Sequence, residues 1–288
     1  MPELPEVEVV KKSLENKLKN LTIKSVFINN NKLRYKINNR QFDKIKGKKI
    51  ISVKRRSKYL LINLNGNLTI LAHLGMTGKF FIEDKNKKKQ KTSFYYAIKN
   101  MDSKHDHLTL NLSKGLKLIY NDVRKFGFLK LLKNKNIFMS KHIQFLGPEP
   151  LKKDFNLNYV IKHSANKKKT IKDLLMDQKF VSGLGNIYCN EILFLCKIEP
   201  SRIAKNIKKR ELRDIVENTK KILKKSILFG GSSIKDFANT EGESGNFQQK
   251  FNVYNKEKNK CSRANCSGTI QKIYISNRSS FFCAKCQK

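Results

Sequence analysis

Four cysteines near the C-terminus leave the end of this chain few ways to fold. They form two pairs, Cys261-x4-Cys266 and Cys283-x2-Cys286, with sixteen residues between the pairs. The other two cysteines, Cys189 and Cys196, sit in the apolar helical run NIYCNEILFLCKI and read as small buried hydrophobes. In a reducing compartment such clustering speaks for a metal rather than for disulfides. A tetrahedral zinc ion needs two close pairs brought together by a hairpin. The intervening TIQKIYISNRSSFF offers two β-rich arms with a turn near Asn277-Arg278. Four thiolates leave no open coordination position, so one structural Zn2+ is expected, its binding supplying the folding energy so small a module lacks. Arg278 then rides on the hairpin tip, either as a probe for phosphate or as an ordinary solvated turn arginine.

Upstream, the hydrophobic pattern changes character once. Between residues 21 and 132 the runs KYLLINL, NLTILAHL, HLTLNL, LKLIY and FGFLKLL are short and separated by polar or glycine-bearing breaks. Consecutive short strands without intervening helices predict an antiparallel β-sandwich. DKNKKKQK at 84–91 reads as a solvated loop, and LGPEPL at 146–151 as the end of the β region. From about 153 to 230 the pattern is helical, in TIKDLLMDQK, GNIYCNEILFLCKI and ELRDIVENTKKILKKSILFGG, the last stopped by paired glycines. The expected class is therefore α+β and multidomain. Its parts are a sandwich domain with the first helix at 1–135, a linker at 136–152, a helical domain at 153–231, a polar, glycine-spaced mobile loop at 232–250 and the cysteine module at 251–288. A chain of 288 residues has length enough for that.

Charge narrows the partner. Lys plus Arg number 62 against 23 Asp plus Glu, a formal net charge of +39, which puts a polyanion first and nucleic acid ahead of a membrane surface. Lysine and asparagine are abundant even in loops, so part of that charge is compositional drift. No apolar run could span a bilayer and no signal peptide is visible, so a soluble, cytoplasmic protein is expected.

Against that basic background the chain opens MPELPEVEVVKK, with three glutamates in its first eight residues. Pro5 suits the first turn of a helix, and Glu6 and Glu8 suit the positive end of its dipole. Val7, Val10, Leu14 and Leu18 give that helix a buried face. Pro2 and Glu3 lie ahead of it. Removal of Met1 would free a secondary amine at Pro2, able to attack a sugar C1′ and leave an iminium ion, an electron sink for elimination. Glu3 beside it could exchange protons with the ring oxygen.

Further motifs stand in order along the chain: KRRSKYLL at 54–61, HLGMTG at 73–78, KHDH at 104–107, DVRKFG at 122–127, LGPEPL, VSGLGNIY at 181–188 and the terminal cysteine hairpin. Together with MPELPEVE they resemble bacterial formamidopyrimidine-DNA glycosylase (the Fpg/MutM family) from Pro2 to Lys288. The resemblance implies an N-terminal β-sandwich, a helix–two-turns–helix domain and a C-terminal β-hairpin zinc finger. It implies a damaged nucleotide flipped out of duplex DNA, with Pro2 as nucleophile and Schiff-base former, Glu3 as acid/base and Glu6 supporting the site. Lys58 corresponds to the lysine that assists β-elimination and grips a phosphate, and Arg278 to the hairpin arginine that assists δ-elimination. Met76, Arg124 and Phe126 match a wedge that fills the hole left by flipping. His73 and Asn186 join Lys58 and Arg278 in a phosphate grip, Asn186 from a helix start after Gly185. His105 and Lys169 match positions that touch the DNA backbone. His107 reads as a satisfied strand histidine.

Four departures from the family pattern stand out. Val123 occupies the place of a usual proline and Lys125 that of a second arginine, so a looser turn is expected there. The first cysteine pair is spaced by four instead of two. In TEGESGNF at 240–247, Glu243 and Asn246 replace a basic and an aromatic residue in the loop that covers the extruded purine in relatives, which leaves the preferred lesion open. The expected function is a bifunctional glycosylase and apurinic/apyrimidinic lyase of base excision repair. It would act on 8-oxoguanine and formamidopyrimidines in double-stranded DNA as a nucleoid-associated bacterial monomer. The alternatives are an endonuclease VIII-like enzyme for oxidised pyrimidines and a non-catalytic DNA- or RNA-binding relative. The PELPE start and the long loop favour the purine branch.

Overall fold

The computed structural model describes residues 2–93, 102–231 and 251–288. The chain forms two compact units, one of Met1–Gln144 with Phe229–Gln248, the other of Phe145–Leu228 with Gln249–Lys288.

The first unit opens with helix α1 (Leu4–Leu18), whose first turn holds Pro5 and whose buried face is Val7, Val10, Leu14 and Leu18. Strand β1 (Ile23–Phe27) follows, then the short helix α2 (Asn39–Asp43), capped by the Asn38 side chain on the Gln41 N–H. Strands β2 (Ile50–Arg56), β3 (Tyr59–Leu64), β4 (Leu68–His73), β5 (Lys79–Glu83), β6 (Lys89–Lys91), β7 (Asp106–Leu112), β8 (Lys117–Asn121) and β9 (Phe128–Lys133) complete it. They make two antiparallel sheets, β1-β7-β8-β5-β6 and β2-β3-β4-β9. Apolar residues of both sheets and of α1 form one core, with Leu14, Leu60, Phe81 and Tyr120 fully buried.

The expected solvated loop at 84–91 is a loop only in part. Asp84 Oδ1 accepts the Asn86 and Lys88 N–H groups, 2.9 Å each. The chain therefore reverses tightly, and Lys89–Lys91 pairs with β5. Lysines on an edge strand discourage pairing with another chain, which is why a strand here carries no apolar pattern.

The second unit contains helices α3 (Leu157–Ser164), α4 (Ile171–Met176), α5 (Asn186–Leu195) and α6 (Lys209–Leu228), then the hairpin β10 (Ile270–Ile275) and β11 (Arg278–Cys283). Side chains of Asn156 and Thr170 cap α3 and α4. Helix α5 is buried from Ile187 through Phe194, whereas α6 buries only one stripe, including Ile215, Ile222 and Leu223. Gly230 and Gly231 follow α6 with positive φ, as the paired glycines required. The predicted mobile loop at 232–250, with Glu243 and Asn246, lies outside the described residues.

Candidate functional site

In the first unit the N-terminus is fixed by a capping box. The Glu3 N–H donates to Glu6 Oε2 at 2.8 Å, and the Glu3 side chain accepts from the Glu6 backbone. Pro2, Glu3 and Glu6 are all buried. Glu8 does not act as a first-turn anion, since it lies past that turn. Its carboxylate pairs with Arg55 Nε at 2.6 Å, and Arg55 Nη1 donates to the Ser57 carbonyl at 2.8 Å. Arg56 pairs with Tyr59, so Ser57 and Lys58 form a two-residue hairpin loop in which Ser57 takes a left-handed φ of +56°. Lys58 is 6 % exposed. An arginine anchored on α1 thus holds the turn that presents Lys58.

On the adjacent strand, Nδ1 of His73 accepts the Gly75 N–H at 3.1 Å, which leaves Nε2 to carry the ring hydrogen. Burial first, then the neighbouring charges of Lys58, Arg34 and His142, lower the His73 pKa to about 4. A neutral imidazole with a fixed donor follows.

Met76 and the pair Arg124 and Phe126 sit on two turns locked to one another. Asp122, fully buried, accepts Thr77 Oγ1 at 2.5 Å and the Gly127 N–H at 2.8 Å, and Thr77 Oγ1 accepts the Arg124 N–H at 3.0 Å. Gly75 has φ +58°, and a Cβ there would lie 2.4 Å from the Gly127 nitrogen; a Cβ on Gly127 would lie 1.9 Å from Tyr120 Oη. Only glycines allow that approach. The turn is therefore tied down despite Val123 and Lys125, the latter at φ +59°. Met76 and Phe126 are 40 % and 47 % exposed, so neither is a core residue. The Arg124 guanidinium lies 4.7 Å from the Phe126 ring centroid. His105, in a short 3₁₀ turn, offers its carbonyl to the Asp122 N–H at 3.0 Å. Both ring nitrogens of His107 lie against backbone carbonyls, those of Asn30 at 2.9 Å and Asp122 at 3.0 Å, and a neutral ring donates its single N–H to one of the two.

In the second unit, Arg278 is exposed as the first residue of β11 and pairs with Ile275. The turn is one residue earlier than expected, at Ser276-Asn277, both with positive φ, the signature of a type I′ hairpin. Beneath it Lys172, 1 % exposed, donates to the Ser279 carbonyl at 2.8 Å and to Ser280 Oγ at 2.6 Å. Asn186 opens α5 after Gly185, as predicted, and its Nδ2 donates to the same Ser279 carbonyl at 3.0 Å. Lys169 forms an ion pair with Asp177 at 2.8 Å.

The four C-terminal cysteines cluster. Their sulfurs all lie within 4.8 Å of one another, with Cys261–Cys286 at 3.8 Å and Cys266–Cys283 at 3.7 Å. Four thiolates at the ordinary ~2.3 Å from a tetrahedral ion stand ~3.8 Å apart, so the set fits such a metal. Burial and the adjoining thiols push Cys286 up to about 12, a situation that a divalent cation among the sulfurs reverses. The module is anchored by Glu191, a fully buried carboxylate of α5 that accepts N–H groups from Asn252, Val253 and Tyr254 at 2.8–2.9 Å.

Family models for the formamidopyrimidine-DNA glycosylase N-terminal domain and H2TH domain match residues 1–129 and 146–238. The chain belongs to the formamidopyrimidine-DNA glycosylase family. Among relatives of that name, one from Rickettsia bellii is 41 % identical and one from Agrobacterium fabrum 37 %, each over the whole of both chains. A Lactococcus lactis Fpg in complex with N7-benzyl-Fapy-dG DNA is 33 % identical over the full length of both chains, with a TM-score of 0.85. Another structure of that enzyme holds DNA containing an abasic site. The glycosylase fold explains the sandwich, the helical unit and the cysteine hairpin together. Among the described residues, no helix is long and apolar enough to cross a membrane.

Several members of the constellation escaped sequence reasoning. Asp122 lies inside a quoted motif, yet nothing in that motif says its carboxylate ties two turns together. Lys58, Lys79 and Lys172 are the buried lysines among the described residues. Lys79 feels the charge of Asp122 and Lys172 supports the Arg278 hairpin. In a chain so rich in lysine, only burial distinguishes Lys79 and Lys172, whereas Lys58 was already marked by its motif.

Proposed function

We propose that this glycosylase releases oxidised purines from duplex DNA and then cuts the strand at the vacated sugar. The observation that carries the reading is the start of the chain: Pro2 and Glu3 are buried ahead of α1 and held by the Glu3–Glu6 capping box. Removal of Met1 frees the proline amine. Its lone pair attacks C1′, the C1′–N bond breaks, and the purine leaves with a proton. Glu3 supplies and recovers protons at the opening sugar ring, with Glu6 holding its backbone. The resulting iminium acidifies C2′–H. Loss of that proton expels the 3′ phosphate, a second elimination expels the 5′ phosphate, and water then frees Pro2. Lys58 assists the first elimination and Arg278 the second, each while gripping a phosphate with His73 and Asn186. His105 and Lys169 add backbone contacts, Lys169 by exchanging Asp177 for a phosphate. Met76, Arg124 and Phe126 fill the space the extruded nucleotide leaves. A structural zinc ion at Cys261, Cys266, Cys283 and Cys286 stabilises the hairpin and takes no part in the chemistry. The enzyme acts as a monomer on cytoplasmic, nucleoid DNA.

Borohydride trapping tests this. With a duplex carrying 8-oxoguanine opposite cytosine, protein beginning at Pro2 should form a covalent adduct, and Pro2→Gly protein should form far less. Stronger trapping on a duplex with an oxidised pyrimidine would move the enzyme to the endonuclease VIII branch. Tight binding without any adduct would leave a non-catalytic relative.

A further inference from the structure

The outer face of the sheet β2-β3-β4-β9 carries a row of rings. Tyr59, His73 and Phe128 are cross-strand neighbours in register, and the His73 and Phe128 rings stack with centroids 5.6 Å apart. Two further rings close over them. Tyr35 meets Phe128 edge-on at 5.1 Å, and His142 packs on it at 4.6 Å. Around this platform stand cations. Lys130, two residues after Phe128 on the same strand face, holds its Nζ 4.1 Å from the Tyr35 centroid; Lys141 and Arg34 approach the same ring at 5.6 Å and 5.9 Å. Among the described residues, none of these three cations has an ion pair to a carboxylate.

Such convergence is unfavourable in isolation. A ring face offsets only a small part of the charge of an exposed cation, and like charges at one spot repel. Every charge that acts on His142 is likewise positive: beyond burial, Lys130, Lys141 and Arg34 together hold its pKa down to about 4. The electrostatics of the patch are completed only by an anion. The patch is also continuous with His73, and through it with Lys58, the groups that the proposed function assigns to a phosphate.

We propose that Lys130, Lys141 and Arg34, arrayed on the Tyr35 platform, grip the phosphodiester backbone of the bound duplex and extend its footprint beyond the groups at the lesion. This rests on the reading of the chain as a DNA glycosylase. The rings hold the lysine stems against a rigid sheet, so less side-chain freedom is lost when a phosphate arrives than for a lysine in a loop. Phosphate contacts position a duplex and carry no sequence information. The patch therefore adds affinity to damaged and undamaged DNA alike.

The test is the salt dependence of binding to an undamaged duplex. Each phosphate contact contributes about 0.9 to the slope of log K against log salt. Lys130→Ala/Lys141→Ala should flatten that slope by about 1–2 and weaken binding at moderate salt by tenfold or more. Lys12→Ala/Lys19→Ala, which removes the same charge from exposed positions within and just past α1, should leave the slope within about 0.3. Tyr35→Ala, which removes the platform but no charge, should give an intermediate loss. Equal slopes for wild type and the Lys130/Lys141 variant, or equal flattening in the α1 control, would overturn the proposal. Failure of the glycosylase reading shows separately, as absence of borohydride adduct from wild-type protein on the lesion duplex.

Discussion

Replacing Arg55 with alanine should damage both the fold and the chemistry, for one reason. Its ion pair with Glu8 has side chains only 9 % and 19 % exposed. That burial lifts it out of the range of about 0.2–1 kcal/mol typical of exposed pairs. Removing one partner of a fully buried pair costs about 3–5 kcal/mol, and the hydrogen bond to the Ser57 carbonyl adds about 1 kcal/mol. Water reaching Glu8 recovers part of this, so Arg55→Ala should cost about 3 kcal/mol. At roughly 2–4 °C per kcal/mol for a domain of this size, the melting temperature falls by about 6–12 °C. A double-mutant cycle with Glu8→Ala should return a coupling of about 2 kcal/mol. The chemical consequence runs through Lys58. Without Arg55 the Ser57 carbonyl loses its anchor, and a misplacement of about 1 Å can cost about 100-fold. Scission of a duplex carrying a preformed abasic site should fall at least about tenfold, measured well below both melting temperatures. Adding Ser57→Gly should recover about 1 kcal/mol of stability, because glycine takes the left-handed φ freely. Melting within about 2 °C of wild type, with coupling below about 0.5 kcal/mol, would refute the reasoning.

Acid should loosen the first unit through His73. Its folded pKa of about 4 lies below the unfolded value near 6.5, so the unfolded chain binds the proton first. Stability is then complete above pH 6.5 and drains away as pH falls towards 4, by roughly 3 kcal/mol at most. Melting curves at pH 7.5 and 4.5 should show this slope shrinking in His73→Phe; a slope of opposite sign would contradict the assignment. For the metal, elemental analysis should find one zinc per chain, and a strong chelator should make four additional thiols reactive and abolish DNA binding. Metal-free protein that binds DNA normally would refute the structural zinc.

The elements came from the sequence where the pattern was local. KYLLINL contains β3, ELRDIVENTKKILKKSIL lies within α6, and the pairs Cys261/Cys266 and Cys283/Cys286 announced one cluster because each pair is close in sequence. Periodicity says which residues turn inward but not whom they meet. Glu8 looked like a dipole anion because its partner Arg55 is 47 positions away. Lys172 looked like one lysine among many because its acceptors, Ser279 and Ser280, come more than a hundred residues later. Strand β6 was invisible since an exposed edge needs no apolar alternation. By residue type alone Met76 and Phe126 would pass for core; the motif match set them apart, and their exposure agrees with it.

The locked pair of turns around Asp122 has a consequence for search. Thr77, Asp122 and the close approach of Gly75 to Gly127 make the projection that carries Met76, Arg124 and Phe126 a stiff tooth. When a stiff tooth meets a duplex, the duplex must do the yielding. Opening then costs least where stacking is weakest, at pyrimidine–purine steps and at lesions that disturb their neighbours. With this projection as the wedge proposed above, the compliance of the DNA would set where the protein pauses, before any base is read.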